Sequence, residues 1–431
     1  MCSRRWDEGH AAKLARATIC FCLFWAATAQ AQTSFVIGVS VHLANDRSTL
    51  PRQLSLIEQT GADSIRADVH WSDVETERGH FVMPPGVDDL VTEALKEGVQ
   101  PLLILDYGNS LYDSGDKPIS PVALSAFARY AVFTVQHFKG RVHMYEMWNE
   151  WDDTTGGSRR GTPQEYARFL RAVYPAVKAS DRSAIFIAGA ISVGGLEFLS
   201  AMLSAGASGF FDALSIHSYN FSKHTRTADG WAQDMLTTEA VIHRHTGGRD
   251  IPLYVTEMGW PTYRGPGGSS PQEAATFLAQ MFLLARTMTF LRGVWWYNFR
   301  DDGWDRSNMQ DTFGIVDPNL TPKPAFAALK AVAPVVRGAW AVEDLSTGIP
   351  SLHALIFRLH GDKQVLAVWS RSQTGVIGAD VSGARLYEIQ SVLPNNTDVY
   401  RLRPGATEQT LEISDIPVLI TGSKLALKQS N

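Results

Sequence analysis

The feature that most constrains this chain is an alternation repeated eight times. Between Ser34 and about Arg337, short β-branched or aliphatic runs alternate with longer amphipathic stretches. The runs that read as strands are Phe35–Val39, Ser64–Ala67, Gln100–Asp106, His143–Trp148, Ala184–Ala188, Ala213–His217, Leu253–Glu257 and Gly293–Asn298. Helical patterns follow at Leu50–Thr60, Val87–Glu97, Pro121–Phe138, Pro163–Ala179, Leu196–Ala205, Trp231–His245, Pro271–Thr287 and Pro324–Val335. Several open on a start signal, as in Ser120-Pro121, Thr162-Pro163 with Glu165, and Ser270-Pro271 with Glu273. A hydroxyl there caps free backbone N–H groups, and a proline at the first helical position lacks an N–H that would go unbonded anyway. Eight strand–helix units in roughly 300 residues predict a closed (β/α)8 TIM barrel. An open doubly wound sheet is the rival, but neither GxGxxG nor GxxxxGK[ST] is present.

The texture changes after Gly338. Short alternating runs appear at Leu352–Leu359, Gln364–Ser370, Gly375–Val381, Arg385–Leu393, Val399–Leu402, Thr410–Ile413 and Pro417–Thr421, separated by turn formers such as Gly361-Asp362-Lys363. They predict a small all-β sandwich. The start of the chain differs again. A basic stretch (Arg4, Arg5, Lys13, Arg16) precedes an apolar run, Ala17 to Ala27, too short to span a bilayer, and small residues follow at Ala27, Ala29 and Ala31. This reads as a signal peptide, with an uncleaved anchor as the alternative. The expected plan is therefore a leader over 1–31, a catalytic barrel over 32–337 and an accessory β-sandwich over 338–431, in a secreted or periplasmic protein. All three cysteines lie in the leader, which leaves no disulfide framework, thiolate metal site or catalytic thiol beyond it. With hydrophobic residues at 45% and a net charge of only −5, the chain reads as globular, with no electrostatic pull toward nucleic acid. No later segment is apolar enough to span a membrane, and a monomer is expected.

In a barrel of this kind the chemistry gathers at the C-terminal ends of the strands. The fourth run ends in Trp148-Asn149-Glu150-Trp151 and the seventh in Thr256-Glu257-Met258-Gly259-Trp260. Two glutamates thus reach one mouth from strands three places apart. Glycoside hydrolysis needs two such carboxyls, one holding a proton for the leaving oxygen and the other ionised. The Asn149 amide is placed to hold a sugar hydroxyl. Asp106 and Tyr107 end strand three and His42 ends strand one; all three are candidate sugar contacts, with a rim role as the alternative, while Glu146 is expected to be a buried partner of a base such as Arg66. No GxSxG elbow is present, and no metal or other cofactor is expected.

Asn-Glu after strand four and Glu after strand seven resemble the clan A retaining glycosidases. Ser64-Ile65-Arg66 with Trp71, Glu75, Gly79 and Phe81 resembles the strand-two signature of that clan, and His217-Ser218-Tyr219 its His-x-Tyr pair. Trp295-Trp296-Tyr297-Asn298 resembles its strand-eight end. The barrel with a C-terminal β-domain is most similar to glycoside hydrolase family 39 and the related endoglycosidases of exopolysaccharide operons. The resemblance implies Glu150 as general acid/base and Glu257 as nucleophile, with Arg66 and Tyr219 on the nucleophile and His217 beside them. It also implies Trp296 as a platform for sugar rings; Trp151 and Trp260 are read as further platforms, with packing of the loop as the alternative for Trp151. Where many clan members have Asn-Glu-Pro this chain has Asn149-Glu150-Trp151. The substrate expected is a polysaccharide or oligosaccharide, above all a bacterial exopolysaccharide. An exo-acting β-xylosidase-like enzyme and a non-catalytic carbohydrate-binding scaffold stand as alternatives.

Overall fold

The computed structural model describes residues 35–42, 47–192, 194–346, 349–371, 376–393 and 405–429. The expected leader and the expected strand Val399–Leu402 lie outside the described residues. Strands β1 (Val36–Ser40), β2 (Ser64–His70), β3 (Gln100–Asp106), β4 (Met144–Met147), β5 (Ile185–Ile191), β6 (Ala213–His217), β7 (Leu253–Met258) and β8 (Leu291–Trp296) close into a parallel barrel in sequence order. The helices outside it are α1 (Leu50–Gln59), α2 (Pro85–Lys96), α3 (Pro121–His137), α4 (Pro163–Ser180), α5 (Gly195–Met202), α6 (Ala228–His245), α7 (Pro271–Ala285) and α8 (Pro324–Gly338). The start signals act as read. Ser120 accepts from the Ala123 amide, and Thr162 with Glu165 and Ser270 with Glu273 form reciprocal capping boxes.

Alternation along each strand sorts side chains between two environments. On β2, Ile65, Ala67 and Val69 face the helices and join the main core, while Ser64 and Arg66 lie on the opposite face, inside the barrel. The lower interior is a plug of Leu102, Ile187, Ala213, Tyr254 and Trp295. Trp295 fits because residue 38 is glycine: a Cβ there would come within 2.0 Å of the indole. Its Nε1 donates to Ser64 Oγ at 3.0 Å.

Beyond α8 come eight further strands among the described residues, β9 (Ala341–Asp344), β10 (Leu352–Arg358), β11 (Gln364–Ser370), β12 (Ile377–Ser382), β13 (Arg385–Ser391), β14 (Glu408–Ile413), β15 (Val418–Ser423) and β16 (Ala426–Gln429). They form an antiparallel sheet of order β13-β15-β11-β10-β9 and a second of order β14-β12-β16. Leu352, Ala354 and Ile356 pack between the two sheets against Val381, Leu411 and Ile413. The alternate residues Leu355, Phe357, Ala367 and Trp369 join the core cluster of the barrel. The five-stranded sheet is thus buried on both faces, which explains why β10 and β11 read as nearly continuous apolar runs. The short β9 and β16 carry weak alternation and escape a reading by pattern.

Candidate active site

The strand ends of the barrel open into a cavity of about 610 Å³, within the usual range for ligand sites. Its wall includes Arg66, Tyr107, Asn149, Glu150, Tyr219, Glu257 and Tyr297. Arg66, on the inward face of β2, organises it. The guanidinium is only 3% exposed. Its Nε donates to Glu146 Oε2 (2.7 Å), Nη1 to Glu257 Oε1 (2.6 Å) and Nη2 to Asn149 Oδ1 (2.7 Å). Burial alone would weaken its charge, but Glu146 and Glu257 hold it firmly protonated. Glu146 is the buried partner expected of it, with Ser215 donating to the other carboxylate oxygen at 2.6 Å.

Glu257 is aimed by a break in the ladder. The register between β7 and β8 shifts between Val255 and Met258, and such an irregularity re-aims a side chain. Its Oε2 accepts from Tyr219 OH at 2.7 Å. Burial and the Glu257 charge push the Tyr219 hydroxyl far up, so it stays a donor. Glu150 stands opposite. Its Oε1 lies 2.8 Å from His217 Nδ1, and its Oε2 accepts from Thr155 Oγ1 at 3.0 Å. The Nε2 of His217 faces Arg66 Nη2 at 3.3 Å, a group that can only donate. In its neutral form His217 therefore carries its proton on Nδ1 and donates a hydrogen bond to Glu150. Burial would raise the Glu150 pKa, but the His217 hydrogen bond and charge, with the Ser192 and Thr155 hydroxyls, bring it down to about 2. Burial would lower His217, yet the charges of Glu257 and Glu150 outweigh it and raise its pKa. An acid proton in this site is a second proton on the Glu150–His217 pair, beyond the Nδ1 hydrogen that bonds the two. One oxygen each of Glu150 and Glu257 and a His217 nitrogen lie within 4.8 Å of one another.

The aromatic expectations need correction. Backbone φ turns positive at Trp148 (76°) and Glu150 (49°), conformations L-residues seldom adopt. The alternation of β4 breaks there, so Asn149 and Glu150 both face the cavity. Trp151 is fully buried, packed on Trp148, Tyr166 and Phe169, and offers no free face to a sugar ring. Trp296 fails for reasons of parity. β8 ends at Trp296, so Trp295 points into the barrel, Trp296 (1% exposed) out toward Phe277 on α7, and Tyr297 into the cavity. Tyr297 takes the place expected of Trp296. Trp260 stacks on Phe277 at 4.1 Å, donates to Asn220 and lies outside this cavity. It borders another of about 520 Å³, between the barrel and the β-sheets. Asp106 is wholly buried and does not line the cavity; its neighbour Tyr107 does, with its hydroxyl accepting from Asn149 Nδ2 at 2.8 Å. His42 lines the cavity, half-exposed.

Asp68, Thr155 and Tyr297 were not foreseen. Period two along Ser64-Ile65-Arg66-Ala67-Asp68 is the signal that finds Asp68, because it shares a face with Arg66. Thr155 lies in a loop and leaves no such pattern. Among the described residues two clusters have the donor set of a metal site, Glu150–His217–Glu257 and Asp68–His70–Asp106. In the first, the groups already bond one another, and Arg66 supplies the positive charge.

No protein-family model matches the sequence, and no curated protein does. Solved structures match its fold. A family 39 glycoside hydrolase from Bacteroides cellulosilyticus aligns with a TM-score of 0.72 and 24% identity, covering 90% of this chain and 80% of that one. A monomeric β-xylosidase from Caulobacter crescentus aligns at 0.60 and 15%, covering 90% and 95%. A GH5_18 enzyme from Streptomyces cattleya in complex with GlcNAc aligns at 0.60 and 16%, covering 70% and 80%. The chain has the fold of the clan A glycoside hydrolases, most like that of family 39: a (β/α)8 barrel followed by antiparallel β-sheets.

Proposed function

We propose that this protein is a retaining glycoside hydrolase that cuts O-glycosidic bonds of a polysaccharide, a bacterial exopolysaccharide, by double displacement. The observation that carries this reading is that one carboxylate oxygen of Glu150 and one of Glu257 lie within 4.8 Å of each other. Retaining pairs stand about 5–5.5 Å apart, whereas inverting pairs leave about 6.5–9.5 Å for a water molecule.

Glu257 attacks the anomeric carbon while its oxygens stay oriented by Arg66 and Tyr219. The bond to the leaving oxygen breaks as the Glu150–His217 pair delivers its proton through Glu150. A covalent glycosyl-enzyme results. Esterification removes the Glu257 charge, the largest of the influences that raise the His217 pKa. The pair then holds its proton less strongly and is ready to act as base. Glu150 accepts a proton from water, the hydroxide attacks the same carbon, and Glu257 is released with net retention.

A neighbouring hollow of about 430 Å³ shares Val41, His42, Asp68 and His70 with the cavity. That continuity favours a chain of sugars lying through the site, hence internal cleavage. The β-xylosidase among the similar folds favours the second reading, an exo-acting enzyme on short xylosides. The leader sequence supports export to the periplasm or beyond. Among the described residues no helix is long and apolar enough to cross a membrane. Trp369 of the β-domain is buried against His353, which supports a bracing role for that domain.

The test is hydrolysis of a polysaccharide panel, including extracellular polymer from the source organism, by the protein and by Glu257→Gln. Release of oligosaccharides by the wild type, cut about 10⁴-fold or more in kcat by the substitution, supports the reading. Binding of a polymer without cleavage of any favours a scaffold.

A further inference from the structure

At the β2–β3 end of the cavity a second carboxyl pair stands apart from Glu150 and Glu257. Asp68 follows Arg66 on the inward face of β2, and Asp106 closes β3 beside it, in register with His70. Asp106 is fully buried, and among the described residues neither of its carboxylate oxygens has a hydrogen-bond partner. Asp68, by contrast, lines the cavity with its side chain 20% exposed. Oxygens of the two lie within 4.8 Å of each other. Two acceptors facing one another without a donor need a positive charge or a proton between them.

Among the described residues no basic side chain is hydrogen-bonded to Asp106. Arg66 is spent on Glu146, Glu257 and Asn149. His42 Nδ1 is 3.8 Å from Asp68, too far for a hydrogen bond. The ring of His70 stacks on Tyr107, and its Nδ1 faces Asp73 at 3.6 Å.

We propose that Asp68 and Asp106 share one proton and that Asp68, so backed, binds hydroxyl groups of a neutral sugar in the cavity; the sugar contact rests on the glycosidase reading above. Burial, then the charge of Asp68, pushes the Asp106 carboxyl well above the usual carboxylate range, which makes Asp106 the resting place of the proton. Asp68 lines the cavity and offers acceptor oxygens there, to which sugar hydroxyls can donate. The same wall holds Glu150, Asp153 and Glu257, and its buried cation, Arg66, is already bound to Glu146 and Glu257. A uronic acid would bring its own negative charge against these carboxylates, so the subsite selects uncharged rings.

Infrared difference spectra at neutral pH decide the shared proton. The full chain minus Asp106→Asn, an isostere of the neutral acid, is expected to give the C=O stretch of a buried carboxylic acid. Absence of that band overturns the proposal, as does stoichiometric Mn²⁺ uptake that Asp106→Asn abolishes, which would put a cation there. Should Asp106→Asn not fold, Asp68→Asn is expected to shift the band, and an unshifted band overturns the pairing. For the sugar contact, Asp68→Asn is assayed on whichever polymer shows Glu257-dependent cleavage. A loss of about ten- to a hundredfold in kcat/KM, carried mostly by KM, is the value of a hydrogen bond to a charged group. An unchanged KM, or a cleaved polymer rich in uronic acid, overturns it. If no polymer shows Glu257-dependent cleavage, the glycosidase reading fails and the sugar contact with it, while the band still decides the proton.

Discussion

The inner faces of the strands hold two layers of opposite character. The lower layer, Leu102, Ile187, Ala213, Tyr254 and Trp295, is apolar and close-packed. In the layer above it, Arg66 binds Glu146, Glu257 and Asn149, while His217 binds Glu150. The same strands and the same parity produce both. The difference teaches where the molecule stores stability and where it spends it. Burying hydrocarbon below is favourable in proportion to area, whereas burying charge above is tolerated only because each group has a partner.

Substitutions can break or sharpen that contrast. The largest effect is expected at Arg66, which holds three polar groups of the upper layer. Arg66→Met strands Glu146 in the interior and should cost about 3–5 kcal/mol of stability along with nearly all activity, read by denaturant melts and assay; a stable, active variant would dissolve the distinction. Trp295→Ala should also cost about 3–5 kcal/mol through the cavity it leaves, yet the protein that remains folded should keep its kcat. A kcat collapse there would show that the lower layer shapes the chemistry directly.

His217→Asn sharpens the upper layer through its pH profile. The raised His217 pKa keeps the acid proton on the pair to values above the ordinary 6.5. Without the imidazole, Glu150 loses the influence holding it near 2 and moves back up toward 4.5. The net effect is that the alkaline limb of kcat/KM falls from above 6.5 to the carboxylate range. An unmoved limb would show that His217 does not share the proton. The smallest effect tests parity on β8. Tyr297→Ala should raise KM by about two- to tenfold, the equivalent of an aromatic contact of ~0.5–1.5 kcal/mol. Trp296→Phe, facing the helices, should leave KM alone.

The barrel was legible because capped helices separate the strands, and caps such as Thr162–Glu165 are local signals. Glu150 and Glu257 were legible as polar residues closing apolar runs. The tryptophans were not. Their roles hang on which way a side chain points after a strand ends, and β4 leaves its alternation through positive φ at Trp148 and Glu150. A one-residue error in where β8 ends exchanges Trp296 for Tyr297. The pairing of Glu150 with His217 was likewise out of reach, since it joins residues on separate strand ends.

The central claim is that Glu150 and Glu257 act as a retaining pair, and the stereochemistry of the product tests it most directly. Proton NMR of the first-formed reducing end, followed before mutarotation, is the measurement. The account predicts the same anomeric configuration as the bond that was cut. The opposite anomer, formed at the wild-type rate, would contradict it.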